Sequence, residues 1–224
     1  MPLDAAKIRS YGEELYRALR GRETVPPLTV REPGITVEDA YRIQMHLIGL
    51  RLERDHETVV GKKIGVTSEV VQKALGVDQP DFGHLTSAMA YRDGARLPTG
   101  RLVQPRAEGE IAFVLGRDLA GPGVSPDDVL RATDRVAACF EIVDSRIHDW
   151  KIRIQDTVAD NASSGLFVVG GGAVAPDHVD LLGCRMVLEK NGQMVGEGRG
   201  AASLGSPVAA VAWLANTLGE LGIT

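Results

Sequence analysis

The chain has 224 residues, 44% hydrophobic and 25% charged, with 26 glycines. That is the make-up of one large soluble domain, or of a domain with a helical arm, and it excludes a disordered, collagenous or two-enzyme chain. Lys+Arg 25 against Asp+Glu 30 gives a net charge of −5, so non-specific binding to nucleic acid or anionic lipid is disfavoured, and any anionic partner must be met by a local site.

In chain order, residues from Asp4 to about Leu19 read as a helix with Asp4 as N-cap. The opening MPLDAAKIRSYGEELYRALRG has no apolar stretch of signal-peptide type, and no run approaches a bilayer span, so no membrane role is expected. A proline-containing connection, Val25-Pro26-Pro27, leads to a second helix from Thr36, with Asp39 in its first turn and Val37, Ala40, Tyr41, Met45, Ile48 and Leu52 on one face. Residues 1–56 are therefore expected as an N-terminal helical arm, and 57–224 as a β-rich catalytic domain.

After Glu57 short β-type runs alternate with glycine and proline: VVGKKIGVT, the stretch from Arg101 to Gly116, VAACFEIVD, GLFVVGG and CRMVLEKNGQMVGEG. Asn191-Gly192 predicts a tight hairpin, because a type I′ turn requires positive φ at both central positions. Helices are predicted at Ser125-Pro126 and Ser206-Pro207, each a cap followed by proline at the first helical position. The final helix is apolar nearly all round and is expected to be buried. The sum is an α+β protein with a predominantly β core. Cys139 and Cys184 sit in apolar surroundings, which suits buried reduced thiols in a cytoplasmic protein.

The chemistry concentrates in PRAEGEIAFVL. On a strand, residues two apart share a face, so Glu108 and Glu110 present adjacent carboxylates. A bare Glu-x-Glu is ordinarily a solvated strand face. Here Ala112 and Val114 continue the glutamate face while Ile111, Phe113 and Leu115 line the other, which predicts a central, buried strand. Glu141 likewise interrupts an apolar run, Val136 to Val143. Buried carboxylates raise each other's pKa and need a cation, and with no His-x-His or Cys-x-x-Cys the donor set suggests Mg²⁺ or Mn²⁺. Asp144 is a candidate fourth ligand or outer-shell acceptor. Of five scattered histidines, only His148 lies near the acids in sequence.

Lys63 sits between Gly61 and Gly65 on a strand face cleared of side chains, where a ligand can meet the ammonium; an exposed edge lysine is the alternative. Asp81, in Gln79-Pro80-Asp81-Phe82-Gly83, reads on its own as a turn cap. The loop Asp160-Asn161-Ala162-Ser163-Ser164-Gly165 offers donors for a carboxylate, or simply makes a turn.

The segments GKKIGVTSEVVQKALGVDQPDFG, QPRAEGEIAFVL, CFEIVDSRIHDWKIRIQDTVADNASSG and LGSPVAAVAWLANTLG together resemble the 2-hydroxypenta-2,4-dienoate (2-oxopent-4-enoate) hydratases of aromatic meta-cleavage pathways, in the fumarylacetoacetate hydrolase superfamily. The resemblance implies a mixed β-sandwich roll holding a divalent metal through Glu108, Glu110 and Glu141. It also implies Lys63 and Asp81 as an acid/base pair, and Asn161 and Ser163 as substrate contacts. The implied reaction adds water to the dienoate to give 4-hydroxy-2-oxopentanoate. The alternatives are the related 4-oxalocrotonate decarboxylase and a non-catalytic assembly subunit. The implied partners are a small 2-oxo or 2-hydroxy dienoic acid, further copies of the chain in a homo-oligomer, and a pathway decarboxylase or aldolase. Family members continue with further strands beyond the last helix, so a longer natural protein is expected.

Overall fold

A computed structural model describes residues 2–223, the side chains of Ala74 and Leu75 excepted. Thr224, at the end where further strands are expected, lies outside the described residues. The elements are α1 (Ala5–Gly21), α2 (Leu28–Arg31), α3 (Val37–Arg54), β1 (Val59–Gly65), α4 (Glu69–Leu75), β2 (Asp81–Thr86), β3 (Ala90–Arg92), β4 (Arg106–Leu115), α5 (Pro126–Ala132), β5 (Thr133–Val143), α6 (Ile154–Ala159), β6 (Ser164–Val169), β7 (Arg185–Lys190), β8 (Gln193–Arg199) and α7 (Pro207–Glu220). β1 pairs with β2, β7 with β8, and the remaining strands form one sheet in the order β3-β6-β5-β4. The chain divides into two units that interleave along the sequence: Met1–Gly65, Asp81–Glu108 and Glu141–Val168 in one, Val66–Pro80, Gly109–Phe140 and Val169–Thr224 in the other.

In the first unit the helix starts follow the sequence. The Asp4 side chain accepts from the Lys7 N–H, and Thr36 and Asp39 make a reciprocal capping box at α3. α1 packs on α3 and α3 on α6. The buried stripe of α3 is Ala40, Ile43, Gln44, Leu47, Ile48 and Arg51, while Met45 and Leu52 are exposed, so the predicted face is rotated. The rotation has a polar cause. Gln44 is fully buried because its amide donates to the carbonyls of Phe82 (3.0 Å) and Val158 (2.8 Å), tying α3 to β2 and α6. Phe82 stacks on Tyr41 with ring centroids 4.4 Å apart. The connection after Val25 also holds a one-turn helix, α2, that periodicity over four residues cannot reveal.

In the second unit Val129, Val136, Leu181, Val208 and Ala212 form the core, with Ile111 and Phe113 of β4 packed on it. Ser125 and Asp128 make the capping box expected at α5. Asn191 and Gly192 take φ 53° and 77°, as the type I′ turn requires. Cys139 and Cys184 are in no disulfide and half-buried, more open than expected. The 21 residues Gly200–Glu220 include a stretch apolar enough to cross a membrane by length and composition. They are broken into a 3-10 turn, Gly200–Ala202, and the 14-residue α7, whose Val208 and Ala212 belong to the core just described.

Candidate active site

The site is built on the β1/β2 pair. In its antiparallel register Lys63 lies opposite Gly83 and Gly65 opposite Asp81, so lysine and aspartate are diagonal neighbours on one face. The glycines provide the room. A Cβ on Gly65 would fall inside the van der Waals surface of Asp81 Oδ1 and 3.3 Å from Lys63 Nζ. A Cβ on Gly83 would lie 2.6 Å from the Asn161 carbonyl oxygen, so only glycine lets the 160–164 loop close on β2. The cleared face read from Gly61, Lys63 and Gly65 is therefore real, and its occupants are a carboxylate and an ammonium.

Lys63 Nζ lies 3.3 Å from Glu141 Oε2 and donates to the Ala162 carbonyl at 3.1 Å. One carboxylate oxygen from each of Glu108, Glu110 and Glu141 lies within 4.8 Å of the others. Only Glu141 is buried, at 5% exposure; Glu108 and Glu110 are exposed. This corrects the expectation of three buried acids on central strands. β4 is the last strand in its sheet, and beyond the acidic end Ile111, Ala112, Phe113 and Val114 are half-buried while Leu115 is exposed.

The donor set fits a hard divalent cation on structural grounds. Glu141 Oε1 and Asp81 Oδ1 are buried polar atoms with no hydrogen-bond partner, and a buried unsatisfied carboxylate oxygen is costly unless a cation meets it. Burial pushes the Glu141 carboxyl up, an effect the Lys63 ammonium opposes and the Glu108 charge reinforces. Asp81, 2% exposed, is likewise pushed up by burial, with Lys63 and the Gly65 N–H pulling it back down. Burial therefore raises both carboxyls beside Lys63, and the lysine ammonium opposes the shift in each.

Other candidates are placed elsewhere. Asp144 accepts from the backbone N–H groups of Val103 (3.0 Å) and Gln104 (2.6 Å), fixing the approach to β4 rather than pointing at the acids. His148 is exposed and bonded to Thr24 at 3.0 Å. Asn161 is 1% exposed and its amide is committed on both sides to one residue: Oδ1 accepts from the His84 N–H (2.8 Å) and Nδ2 donates to the His84 carbonyl (2.9 Å). The Ser163 hydroxyl bonds Thr157 at 3.0 Å.

Asn161, Ala162 and Ser163 take φ 56°, 50° and 51°, three successive non-glycine residues in the left-handed region. Each costs about 1–2 kcal/mol. The offsetting bonds come from Arg146, which sequence reading missed. This fully buried guanidinium donates to Asp160 Oδ1 (Nε, 2.6 Å), to the carbonyls of Asp160 (2.7 Å) and Ser164 (3.0 Å), and to that of Asp144. An arginine in the otherwise uncharged tripeptide Ser145-Arg146-Ile147, with Asp160 opening the polar loop, was the available signal.

A β1/β2 pair carrying lysine and aspartate lies beside an acidic triad that could hold a divalent cation, on an α+β fold. The profile of the fumarylacetoacetate (FAA) hydrolase C-terminal region matches residues 58–220, and the chain belongs to that family. It is 61% identical over 222 residues to a 2-hydroxypent-2,4-dienoate hydratase of Pseudomonas putida, covering 99% of this chain and 100% of the relative. It is 58% identical to a 2-hydroxyhexa-2,4-dienoate hydratase of Comamonas testosteroni, over 98% of this chain and 84% of the relative. Among solved structures, a 4-oxalocrotonate decarboxylase from Pseudomonas putida complexed with magnesium and adipate superimposes with TM-score 0.93 at 36% identity, covering 98% of this chain and 83% of the other.

Proposed function

We propose that the chain is a hydro-lyase of aromatic meta-cleavage catabolism that adds water to 2-hydroxypenta-2,4-dienoate, giving 4-hydroxy-2-oxopentanoate. The observation that carries this reading is the Lys63 ammonium 3.3 Å from Glu141, the buried member of the acidic triad, with Asp81 beside it. Glu108, Glu110 and Glu141 are the residues that would hold Mg²⁺ or Mn²⁺, which as a Lewis acid polarises the carboxylate and the 2-oxygen of a 2-oxo acid.

The chain's own residues then move protons. In the first stage the 2-hydroxyl loses a proton and carbon 5 gains one, giving the conjugated enone. In the second, water adds its oxygen at carbon 4 and a proton at carbon 3. Each transfer requires a group within hydrogen-bond reach of the substrate. Lys63 is held by the Ala162 carbonyl and Glu141 so that its ammonium faces the acids. Asp81, shifted upward by burial, exchanges a proton nearer neutral pH than an exposed aspartate does. The Asn161 and Ser163 side chains were expected to touch substrate; their bonds to His84 and Thr157 favour support of the loop instead.

The 98% coverage by the decarboxylase structure favours one second reading, decarboxylation of 4-oxalocrotonate on the same residues. Carbon dioxide release from that acid, measured beside dienoate hydration, separates the two. We further propose the division into a 1–56 helical arm and a 57–224 catalytic domain, supported by the family match beginning at residue 58. A cytoplasmic setting is supported by the absence of a disulfide among the described residues. Homo-oligomerisation is supported by exposed apolar residues on strand β8, where Met194 and Val195 are 60% and 57% exposed. Light scattering tests the oligomer.

A further inference from the structure

The Lys63 ammonium depends on a carbonyl in a strained loop, and that loop depends on groups remote from substrate. Asn161, Ala162 and Ser163 are left-handed and none is glycine. Their backbone is clamped from three directions. The Asn161 amide grips both the N–H and the carbonyl of His84 on β2. Ser163 accepts from the Asp144 N–H through its carbonyl at 2.7 Å and bonds Thr157 through its hydroxyl. Arg146 ties the two ends of the loop together, donating to the Asp160 carboxylate and carbonyl on one side and to the Ser164 carbonyl on the other. The clamped loop delivers the Ala162 carbonyl oxygen to Lys63 Nζ.

We propose that Arg146 is a positioning residue for Lys63: with Asp160 and Asn161 it locks the left-handed loop so that the Ala162 carbonyl fixes the lysine ammonium at the acidic triad. Arg146 itself contacts no reacting atom. A guanidinium is needed there because its planar fork serves a carboxylate and two flanking carbonyls at once, which a lysine ammonium cannot do. The inference rests on the hydratase reading for its kinetic consequence, but not for its geometric one.

The test pairs two readouts on Arg146→Lys. In lysine-¹⁵N-labelled protein the Lys63 Nζ–H signal, identified by its absence from Lys63→Arg, should be present in the parent and lost or displaced in Arg146→Lys. Dienoate turnover should fall about 10- to 100-fold in kcat, with KM and Mg²⁺ affinity held within about twofold, as displacement of one reacting group requires. The core truncation Ile43→Val, also in the first unit, should lower the thermal midpoint and leave both readouts in place. A folded Arg146→Lys protein with unchanged Lys63 signal and near-parental kcat overturns the proposal, and so does an equal kcat loss in Ile43→Val. If Arg146→Lys does not fold, Asn161→Gly carries the same expectation, since glycine keeps the left-handed backbone accessible and removes only the grip on His84. Parental behaviour of that variant overturns the proposal equally. A parent that does not turn over the dienoate, with a Lys63 signal that still responds to Arg146→Lys, refutes the hydratase reading and supports the positioning role.

Discussion

Gly65→Ala places one methyl group between the two proposed proton-transfer residues. Gly65 has no positive φ, so alanine meets no backbone strain, and in an open strand the change would be mildly stabilising. The added Cβ instead overlaps Asp81 Oδ1 and lies 3.3 Å from both Asp81 Cγ and Lys63 Nζ. Restoring an ordinary contact moves the carboxylate by about 1 Å. Asp81 is buried at the start of β2 and cannot retreat into solvent. Overpacking of this kind costs about 1–3 kcal/mol of stability. A displacement of about 1 Å at a reacting group lowers kcat on the order of 10²-fold, which is about 2.7 kcal/mol of barrier. Gly61→Ala is the internal control. It lies on the same face of the same strand, but its new methyl meets only Leu85 at 3.7 Å, an ordinary contact. The assay is ultraviolet loss of freshly made dienoate under saturating Mg²⁺, with thermal midpoints for both variants. A folded Gly65→Ala enzyme with parental kcat, or equal losses in the two variants, refutes the geometry assigned to Lys63 and Asp81.

Glu110→Gln and Glu141→Gln should each abolish Mg²⁺-dependent turnover and weaken Mg²⁺ binding by calorimetry; full activity of either after chelation and dialysis removes that residue from the metal set. Lys63→Ala and Asp81→Asn should lose on the order of 10²-fold in kcat while metal still binds, and near-normal turnover of the Lys63 variant contradicts its assignment. His84 gives a stability signature: burial, with a smaller push from Lys62, lowers its pKa from 6.5 to about 4. The unfolded chain takes up this proton near pH 6.5 and the folded protein only near 4, so stability is full above the window and falls by about 3 kcal/mol as pH drops through it. Denaturant titrations at pH 7 and pH 4.5 should show that loss and its reduction in His84→Gln, and an unchanged slope in the variant contradicts it.

What the sequence disclosed follows the range of the interactions involved. Asp4, Thr36 with Asp39, and Ser125 with Asp128 cap their helices through bonds spanning three residues, so both donor and acceptor are visible in one short window. Asn191-Gly192 likewise makes its turn alone. Gly61, Lys63 and Gly65 disclosed a cleared face because strand periodicity is local. The openness of Glu108 and Glu110 was not legible, since it depends on β4 ending its sheet, a matter of strand order. The roles of Asn161 and Arg146 were hidden for the same reason. Asn161 spends its amide on His84, 77 positions away, and Arg146 reaches Asp160 across 14. A polar side chain in a loop looks available in sequence, and only the fold shows which of its hydrogen bonds are already made.

The central claim, that these residues hydrate a dienoate with a divalent cation, is tested most directly by incubating freshly prepared 2-hydroxypenta-2,4-dienoate with metal-free protein, with and without added Mg²⁺, and weighing the product. The account predicts Mg²⁺-dependent loss of the dienoate chromophore and a product heavier by one water, with no carbon dioxide released from 4-oxalocrotonate. Carbon dioxide release without hydration would assign the site to the decarboxylase, and no turnover of either acid by metal-loaded protein would contradict the account outright.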